Sequence, residues 1–332
     1  MHPRSRRDFL AALAAGWGSA SLSMGLAAAQ NSTANAVSEK SPQQLADDEV
    51  AVFRTDTRLV VLHASVLDKN GKLITTVPQS AFKVTENGLD QPIKIFRRED
   101  VPVSMGIIID NSGSMRDKRA KVAAAALALV KESNPQDEVF IVDFNDAPYL
   151  DQPFTNDIKK MEETLDKIDS RGGTAMRDAI SLSIDYAKES GKKDKKVLLV
   201  VTDGNDNSSD ETLEQLVRKA QKSEVLIYCI GLLNEEEPRE ARAAKRALKA
   251  LAEASGGLDY YPKDLAEVEK ITPEVAKEIR NQYTLAYSPA NQNLDGTFRK
   301  IQVTVNGFGR PTVRTRNGYY ATPETPAKPA GK

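Results

Sequence analysis

The sequence has few of the residues that bind transition metals or form disulfides. Its 332 residues include two histidines, His2 and His63, and one cysteine, Cys229. Zinc and haem sites are built largely from Cys and His side chains, so the composition leaves almost no material for them. Cys229 lies in the apolar run EVLIYCIG and is best interpreted as a small buried hydrophobic residue. Any bound metal should therefore be a hard cation held by oxygen atoms.

An excess of charge of either sign is also lacking. The chain has 46 basic and 47 acidic residues, which gives a formal net charge of −1. Domains that bind nucleic acid usually have a marked basic excess, so the composition gives no support for such a partner. The charged runs GKKDKK (191–196) and EEEPREARAAKR (235–246) are interpreted as solvated loop and helix surfaces.

The amino-terminal 29 residues have the pattern of an export signal. The stretch RSRRDFLAALAAGWGSASLSMGLAAAQ has a basic start, an Ala/Gly/Leu-rich centre and an A-x-A cleavage pattern at 27–29. Its segment SRRDFL resembles the twin-arginine motif S-R-R-x-F-L. A membrane anchor is the alternative, but serines at 19, 21 and 23 make the segment too polar for a span. We predict a cleaved twin-arginine-type signal over 1–29, no stable transmembrane span afterwards, and a periplasmic, cell-surface or secreted protein.

The pattern of apolar and polar residues in the rest of the chain changes at four positions. Residues 30–52, rich in Ser, Asn, Gln and Ala, are predicted to be a linker. Residues 53–100 alternate apolar and polar residues around two Asn-Gly pairs, at 70–71 and 87–88, which are strong hairpin signals. Residues 101–280 alternate apolar strands with helical patterns, and 281–321 return to strand patterns. The Pro/Ala/Lys-rich tail, 322–332, is predicted to be disordered.

The alternation over 101–280 predicts an α/β domain with a doubly wound, mostly parallel sheet covered by helices on both faces. The flanks offer about four strands before this domain and three after it. Each set is small for an independent domain, and together they suit a β-sandwich. We therefore predict that the α/β domain is inserted in, or flanked by, a β-sandwich-like domain built from both flanks.

Oxygen-bearing side chains follow the ends of predicted strands in three loops. Asp110, Ser112 and Ser114 follow the run GIII, Thr174 lies in SRGGTAMRD, and Asp203 ends the run VLLVVT. Ligands of open α/β sheets lie at the carboxyl ends of the strands, where these loops should meet. Taken singly, Ser114 and Thr174 could be helix caps and Asp203 a turn residue. A carboxylate at the end of a buried strand is harder to explain, because its burial is costly.

With these residues, 101–280 resembles the von Willebrand factor type A domain. The metal-ion-dependent adhesion site of that family has the pattern D-x-S-x-S, then a threonine, then an aspartate. Asp110, Ser112, Ser114, Thr174 and Asp203 fill these positions. The resemblance implies one Mg²⁺ or Mn²⁺ held by the two serines and by Thr174 or a water-linked Asp203, with Asp110 acting largely through water or the serines. It also implies an open coordination position that accepts an Asp or Glu carboxylate of a partner protein.

The flanks resemble a bacterial group of exported proteins with this domain, through SAFKVTENG, IFRRED, DGTFRKIQVTV and RNGYYA. We therefore expect an exported, non-enzymatic, metal-dependent protein-binding module. In related domains the last helix, here 265–280, moves when the metal site is filled, so binding could tilt the β domain.

Three alternatives remain open. The metal could mainly stabilise a structural or assembly protein. Asp110 could be the nucleophile of a metal-dependent phosphatase, although Ser112 replaces that family's usual second aspartate. A separate Ca²⁺ loop over DGNDNSSDETLE (203–214) would use Asp203, Asn205, Asn207 and Glu214, but it has Ser208 where an EF-hand needs glycine.

Overall fold

A computed structural model describes residues 58–98, 100–132, 134–167, 170–204 and 206–323. The predicted signal peptide and linker, and the tail beyond residue 323, lie outside the described residues. No helix in the described part of the chain is long and apolar enough to span a membrane.

The strands, in chain order, are β1 (Val60–Leu67), β2 (Phe82–Glu86), β3 (Leu89–Gln91), β4 (Ile95–Arg97), β5 (Val103–Asp110), β6 (Glu138–Phe144), β7 (Pro148–Thr155), β8 (Lys195–Thr202), β9 (Leu226–Gly231), β10 (Asp259–Tyr260), β11 (Tyr283–Tyr287), β12 (Phe298–Val305), β13 (Thr312–Arg314) and β14 (Gly318–Tyr320). The α-helices are α1 (Arg119–Lys131), α2 (Ile158–Leu165), α3 (Met176–Ser190), α4 (Leu213–Ser223), α5 (Pro238–Ser255) and α6 (Leu265–Arg280).

The central sheet has six strands in the order β10-β9-β8-β5-β6-β7. All neighbours are parallel except β6 and β7, which are antiparallel. One face packs on α1, α2 and α6, and the other on α3, α4 and α5. Every residue of β5 is buried, which is why this strand is a continuous small and apolar run. The predicted doubly wound, mostly parallel α/β fold is confirmed.

The flanking strands form two four-stranded sheets, in the orders β13-β1-β11-β4 and β14-β12-β2-β3. Each sheet combines strands from before and after the α/β region. For example, Leu62 lies opposite Leu285 across β1 and β11, and Val84 lies opposite Val303 across β2 and β12. Side chains of both sheets form a single apolar core. The prediction that the two flanks build one sandwich-like unit is therefore confirmed.

Some local predictions need correction. Residues 148–155, which the sequence patterns do not identify as a strand, form the antiparallel edge strand β7. The pairing of β7 with β6 is irregular, and its polar residues and two prolines remove the alternating pattern that identifies a strand. The last strand pattern is two strands, β13 and β14, in different sheets. Asn87-Gly88 forms the predicted hairpin turn, with φ of 50° and 84°, whereas the turn at 70–71 is followed by one bridge, Leu67 to Leu73.

A buried polar cluster centred on Glu278 of α6 connects the two units. Its Oε1 accepts hydrogen bonds from Ser65 Oγ of β1 (2.8 Å) and Tyr228 OH of β9 (3.2 Å), and its Oε2 from Tyr260 OH (3.1 Å). Gln282 Nε2 donates to both Ser65 Oγ and Tyr228 OH at 3.2 Å. Burial raises the pKa of Glu278, and the three hydroxyl donors lower it by less. One carboxyl group thus joins the last helix, the central sheet and the sandwich.

We expect Glu278→Ala to lower the free energy of unfolding by about 1–3 kcal/mol, because it leaves buried hydroxyl groups without their acceptor. The pKa of Glu278 is raised above its ordinary value of 4.5 in the folded protein. The favourable contribution of its protonation is full below pH 4.5 and is lost as the pH rises through the folded-state pKa. The loss caused by the substitution should therefore be larger at pH 4 than at pH 7. Urea unfolding at both pH values measures this.

The matched control is Glu274→Ala, which removes an exposed carboxylate from the same helix. Its effect should stay within about 0.5 kcal/mol. Equal losses in the two variants would contradict a special role of the Glu278 cluster.

Candidate metal-binding site

Asp110 is fully buried at the carboxyl end of β5, and its two oxygens organise the loops around it. Oδ1 accepts the backbone N–H of Ser112 (2.9 Å), which shapes the loop after β5. Oδ2 accepts the hydroxyl of Thr202 (2.5 Å), the last residue of the neighbouring strand β8. Burial raises the pKa of Asp110 to about 6, the hydrogen bonds from Thr202 and Ser112 lower it, and the nearby Asp203 raises it further. Asp110 therefore ties two strand ends together.

Ser112, Ser114 and Asp203 form a connected row of oxygen atoms. Ser112 Oγ lies 3.1 Å from Ser114 Oγ, and Ser114 Oγ donates to Asp203 Oδ1 at 2.9 Å. Ser114 lies inside a short 3-10 helix, Gly113–Met115, and α1 begins five residues later, so the serine does not cap that helix. Ser112 and Asp203 are buried, whereas Ser114 is exposed. The row is thus open to solvent at one place.

Thr174 lies on the next loop, which packs directly against the first one. Gly113 N–H donates to the carbonyl of Gly172 (3.3 Å), a residue with φ of +79°. The backbone of Thr174 is held by Asn207: Thr174 N–H donates to Asn207 Oδ1 (2.9 Å), and Asn207 N–H donates back to the Thr174 carbonyl (3.0 Å). Thr174 is buried and does not cap α3, which begins two residues later. The structure therefore places Asp110 at the end of β5 and the other four predicted residues in three adjoining loops, with the loop of Thr174 joined to the first one through the Gly113–Gly172 backbone contact.

A lysine that the sequence analysis did not single out lies at the centre of this arrangement. Lys118 Nζ is 2.7 Å from Asp203 Oδ2, with 11% of the lysine side chain and none of the aspartate side chain exposed. A buried carboxylate needs a compensating charge, and here an ammonium group provides it. Glu236 lies near the same aspartate; its pKa is raised, first by burial and then by Asp203.

Three residues of the site were thus missed from the sequence: Thr202, Lys118 and Asn207. Thr202 directly precedes Asp203, so its position at a strand end was a usable signal. Lys118 stands in the charged run RDKR, where nothing distinguishes it from its neighbours. Asn207 was considered only as a ligand of the alternative Ca²⁺ loop, and in the structure its side chain holds Thr174 instead.

The donor set fits a hard divalent cation. Adjacent ligands of an octahedral Mg²⁺ ion, at about 2.1 Å from the metal, lie about 3.0 Å from each other. The Ser112–Ser114 and Ser114–Asp203 oxygen distances, 3.1 and 2.9 Å, agree with that edge and are also ordinary hydrogen-bond distances, so the oxygens can bond to each other or be bridged by an ion. Among the described residues, no group of three or more His, Cys, Asp or Glu side chains could hold a metal ion. A metal at this edge would therefore depend on hydroxyl oxygens as well as carboxylates.

Comparison with known proteins agrees with the fold. Residues 105–205, from β5 to just beyond β8, match the sequence model of the von Willebrand factor type A domain. The chain therefore contains a domain of this family.

The relatives extend over different parts of the chain. An uncharacterised protein of Borreliella burgdorferi is 25% identical over 217 residues, covering 62% of this chain and 60% of the relative. Integrin alpha-11 of Mus musculus is 34% identical over 80 residues, covering 23% of this chain but 7% of the integrin. A solved von Willebrand factor type A structure from Catenulispora acidiphila aligns with a TM-score of 0.47 and 15% identity, over 80% of this chain and 75% of the other. The chain thus spans less than two thirds of either curated relative.

We expect Thr202→Val, which keeps the size of the side chain, to lower the free energy of unfolding by about 1–3 kcal/mol, because Asp110 Oδ2 loses its hydroxyl donor. Urea unfolding in the presence of a chelator measures this. The control is Thr272→Val, the same change at a buried threonine whose hydroxyl bonds to the carbonyl of Val268 within α6. A loss no larger than that of the control would contradict the role of Thr202.

Proposed function

We propose that this protein is an exported, non-enzymatic protein-binding module, and that the loops after β5 and β8 and before α3 form its metal-ion-dependent adhesion site. The observation that supports this most is the row of Ser112, Ser114 and Asp203 oxygens, spaced at 2.9 to 3.1 Å on the carboxyl edge of the parallel sheet. The match to the family over 105–205 supports the same proposal.

In this proposal Ser112, Ser114 and Asp203 hold the ion, with Thr174 on the adjoining loop. Asp110 positions Ser112 through its backbone amide, and Thr202 positions Asp110. When bound, Mg²⁺ or Mn²⁺ supplies a positive position that attracts an incoming carboxylate oxygen. Serine and threonine hydroxyls are neutral, so they leave much of that positive charge uncompensated. An Asp or Glu side chain of a partner protein is therefore the ligand that this donor set favours.

Ser114 is exposed, which supports the proposal that a partner reaches the ion from the surface. Catalysis of hydrolysis needs a nucleophile or a base with access to substrate. Asp110 is fully buried, and its two oxygens accept hydrogen bonds from Ser112 and Thr202. This environment favours a positioning role for Asp110 over a nucleophilic one. The export signal that the sequence predicts would bring the module to the periplasm or cell surface.

Calorimetric titration of Mg²⁺ and Mn²⁺ into the protein tests the metal site. We expect one ion to bind, and binding to be lost in Asp110→Ala because the loop that presents Ser112 loses its anchor. Asp117→Ala, which removes an exposed carboxylate just after the loop, should leave binding unchanged. If neither ion binds, or if Asp110→Ala binds as the wild type does, the proposal is wrong.

Lys118 gives a second and more specific prediction. Its ammonium group pairs with Asp203 Oδ2, next to the Oδ1 atom that belongs to the proposed metal-binding row, so its positive charge would oppose the binding of a divalent cation. Removing a unit charge within a few ångströms of a divalent ion amounts to a few kcal/mol at an effective dielectric constant of about 20. We expect Lys118→Met to bind Mg²⁺ about tenfold more tightly or better.

Lys121→Met is the matched control, because it removes an exposed lysine from the next turn of the same region. Calorimetry on both variants gives the affinities directly. An unchanged or weaker affinity of Lys118→Met would mean that the lysine supports the site and does not compete with the metal.

A further inference from the structure

A cavity of about 700 Å³ lies between the sandwich and the α/β domain, at the amino-terminal edge of the central sheet. On one side it is bounded by residues of β1, β4 and β11, and on the other by the segments that lead into β5, β8 and β9. The adhesion-site residues follow the carboxyl ends of β5 and β8, at the opposite edge. This cavity is therefore a separate site, and its properties do not depend on the proposed metal site.

The cavity is strongly basic. Its lining includes six cationic side chains: Arg97, Lys192, Lys193, Lys195, Lys196 and Arg316. Two carboxylates, Asp194 and Glu224, line it as well, so the basic side chains outnumber the acidic ones by four. Much of this charge comes from the run GKKDKK, which the sequence suggested was a solvated loop. That interpretation is wrong for Lys195, because 4% of this residue is exposed.

The deepest cations are only partly compensated. Lys195 Nζ donates to the carbonyl of Ile279, a neutral acceptor, at 2.5 Å. Arg316, 6% exposed, donates from Nη2 to Glu224 (3.2 Å), and its buried Nε has no hydrogen-bond partner among the described residues. Buried charged groups are normally paired. The Nε atoms of Arg177, Arg299 and Arg314, which do not line the cavity, have no partner among the described residues either, so the case for an anion depends on the excess of cationic groups in the lining.

The pKa values of the neighbouring groups agree with an excess of positive charge in the cavity. His63 of β1 also lines the cavity, and its pKa is lowered to about 3, first by burial and then by Lys195 and Arg316. Burial lowers the pKa of Lys195 to about 7, although Glu278, Asp100 and Asp137 act in the opposite direction. The cationic side chains that line the cavity are thus poorly solvated and repel one another. A bound anion would reduce this repulsion and offset the lost solvation.

Much of the remaining wall is apolar. Val61, Ile95, Pro102, Leu226 and Ala286 line the cavity beside the charged groups. Pockets for small ligands typically combine apolar walls with a few polar groups, in volumes of about 300–1,000 Å³. The cavity can therefore take more than an inorganic ion, since a ligand can place an apolar body against these side chains and an anionic group against the cations.

We propose that this cavity binds a small organic anion, with a phosphate or carboxylate group on an apolar body, between the two units of the protein. Arg316 and the Lys192–Lys196 segment would hold the anionic group, and the strands of the sandwich the apolar body. Because both units contribute to the lining, the ligand would also hold them together.

Four probes test this by calorimetry on the full chain: 1-naphthyl phosphate, 1-naphthoate, inorganic phosphate and the neutral 1-naphthol. We expect 1-naphthyl phosphate or 1-naphthoate to bind more tightly than inorganic phosphate and 1-naphthol. The stronger of the first two identifies the anionic group. Binding of neither, or equal binding of 1-naphthol, would overturn the proposal.

Two variants place the binding in the cavity. In Lys192→Gln/Lys193→Gln the probe should bind at least about tenfold more weakly, which corresponds to 1.4 kcal/mol. Lys159→Gln/Lys160→Gln removes the same charge from the exposed face of α2 and should leave the affinity unchanged. Arg97→Gln, at an exposed position of the lining, should also weaken binding and provides a test if the double variant does not fold. Equal effects of the cavity and α2 variants would show that the probe responds to net charge only, and would overturn the assignment.

Discussion

Asp110 is a fully buried carboxylate at the end of the central strand, and a carboxylate in that position loses its hydration and must gain hydrogen bonds in return. The donors come from two directions: the backbone of the loop that follows β5, and the hydroxyl at the end of the adjacent strand β8. Satisfying this one group therefore fixes the loop that presents Ser112 and Ser114 relative to the strand that presents Asp203. The arrangement of the candidate metal ligands is a consequence of that requirement.

The same requirement recurs at Asp203, but with a different solution. Its side chain is also buried, and it receives one hydroxyl, from Ser114, and one ammonium group, from Lys118. A tethered cation stabilises the loops without a metal, so the fold does not depend on an ion to compensate this carboxylate. If the proposed ion binds beside Asp203, the charge of Lys118 would oppose it. The same side chain would then stabilise the loops in the absence of the metal and lower the affinity for the metal.

Much of the fold could be predicted from the sequence, because its elements have strong local patterns. The helix α6 has the predicted bounds, 265–280, and the pairing of the two flanks follows from the number of strands on each side. The edge strand β7 could not be recognised, since its pairing with β6 is irregular and its polar residues interrupt the pattern. Asp110, Ser112, Ser114 and Asp203 could be predicted from their positions at strand ends, whereas Thr174 lies between α2 and α3 and was predicted from the family pattern. Lys118 could not be predicted in this way. Several cationic side chains are adjacent in the sequence, and the packing of the first turns after β5 decides which of them reaches Asp203.

The two units of the protein meet at a junction that includes buried polar contacts. β4, before the α/β domain, and β11, after it, are neighbouring antiparallel strands, with Arg97 opposite Thr284. The chain therefore leaves the sandwich and returns to it at the same place, and Arg280 at the end of α6 pairs with Asp100 before β5. Glu278, on the same helix, holds residues of both units. That α6 moves when the metal site is filled stays a prediction. Such a movement would have to break these contacts. It would also alter the wall of the basic cavity, because Lys195 is bonded to Ile279 of the same helix. A ligand in the cavity and a metal at the far edge would then act on one helix.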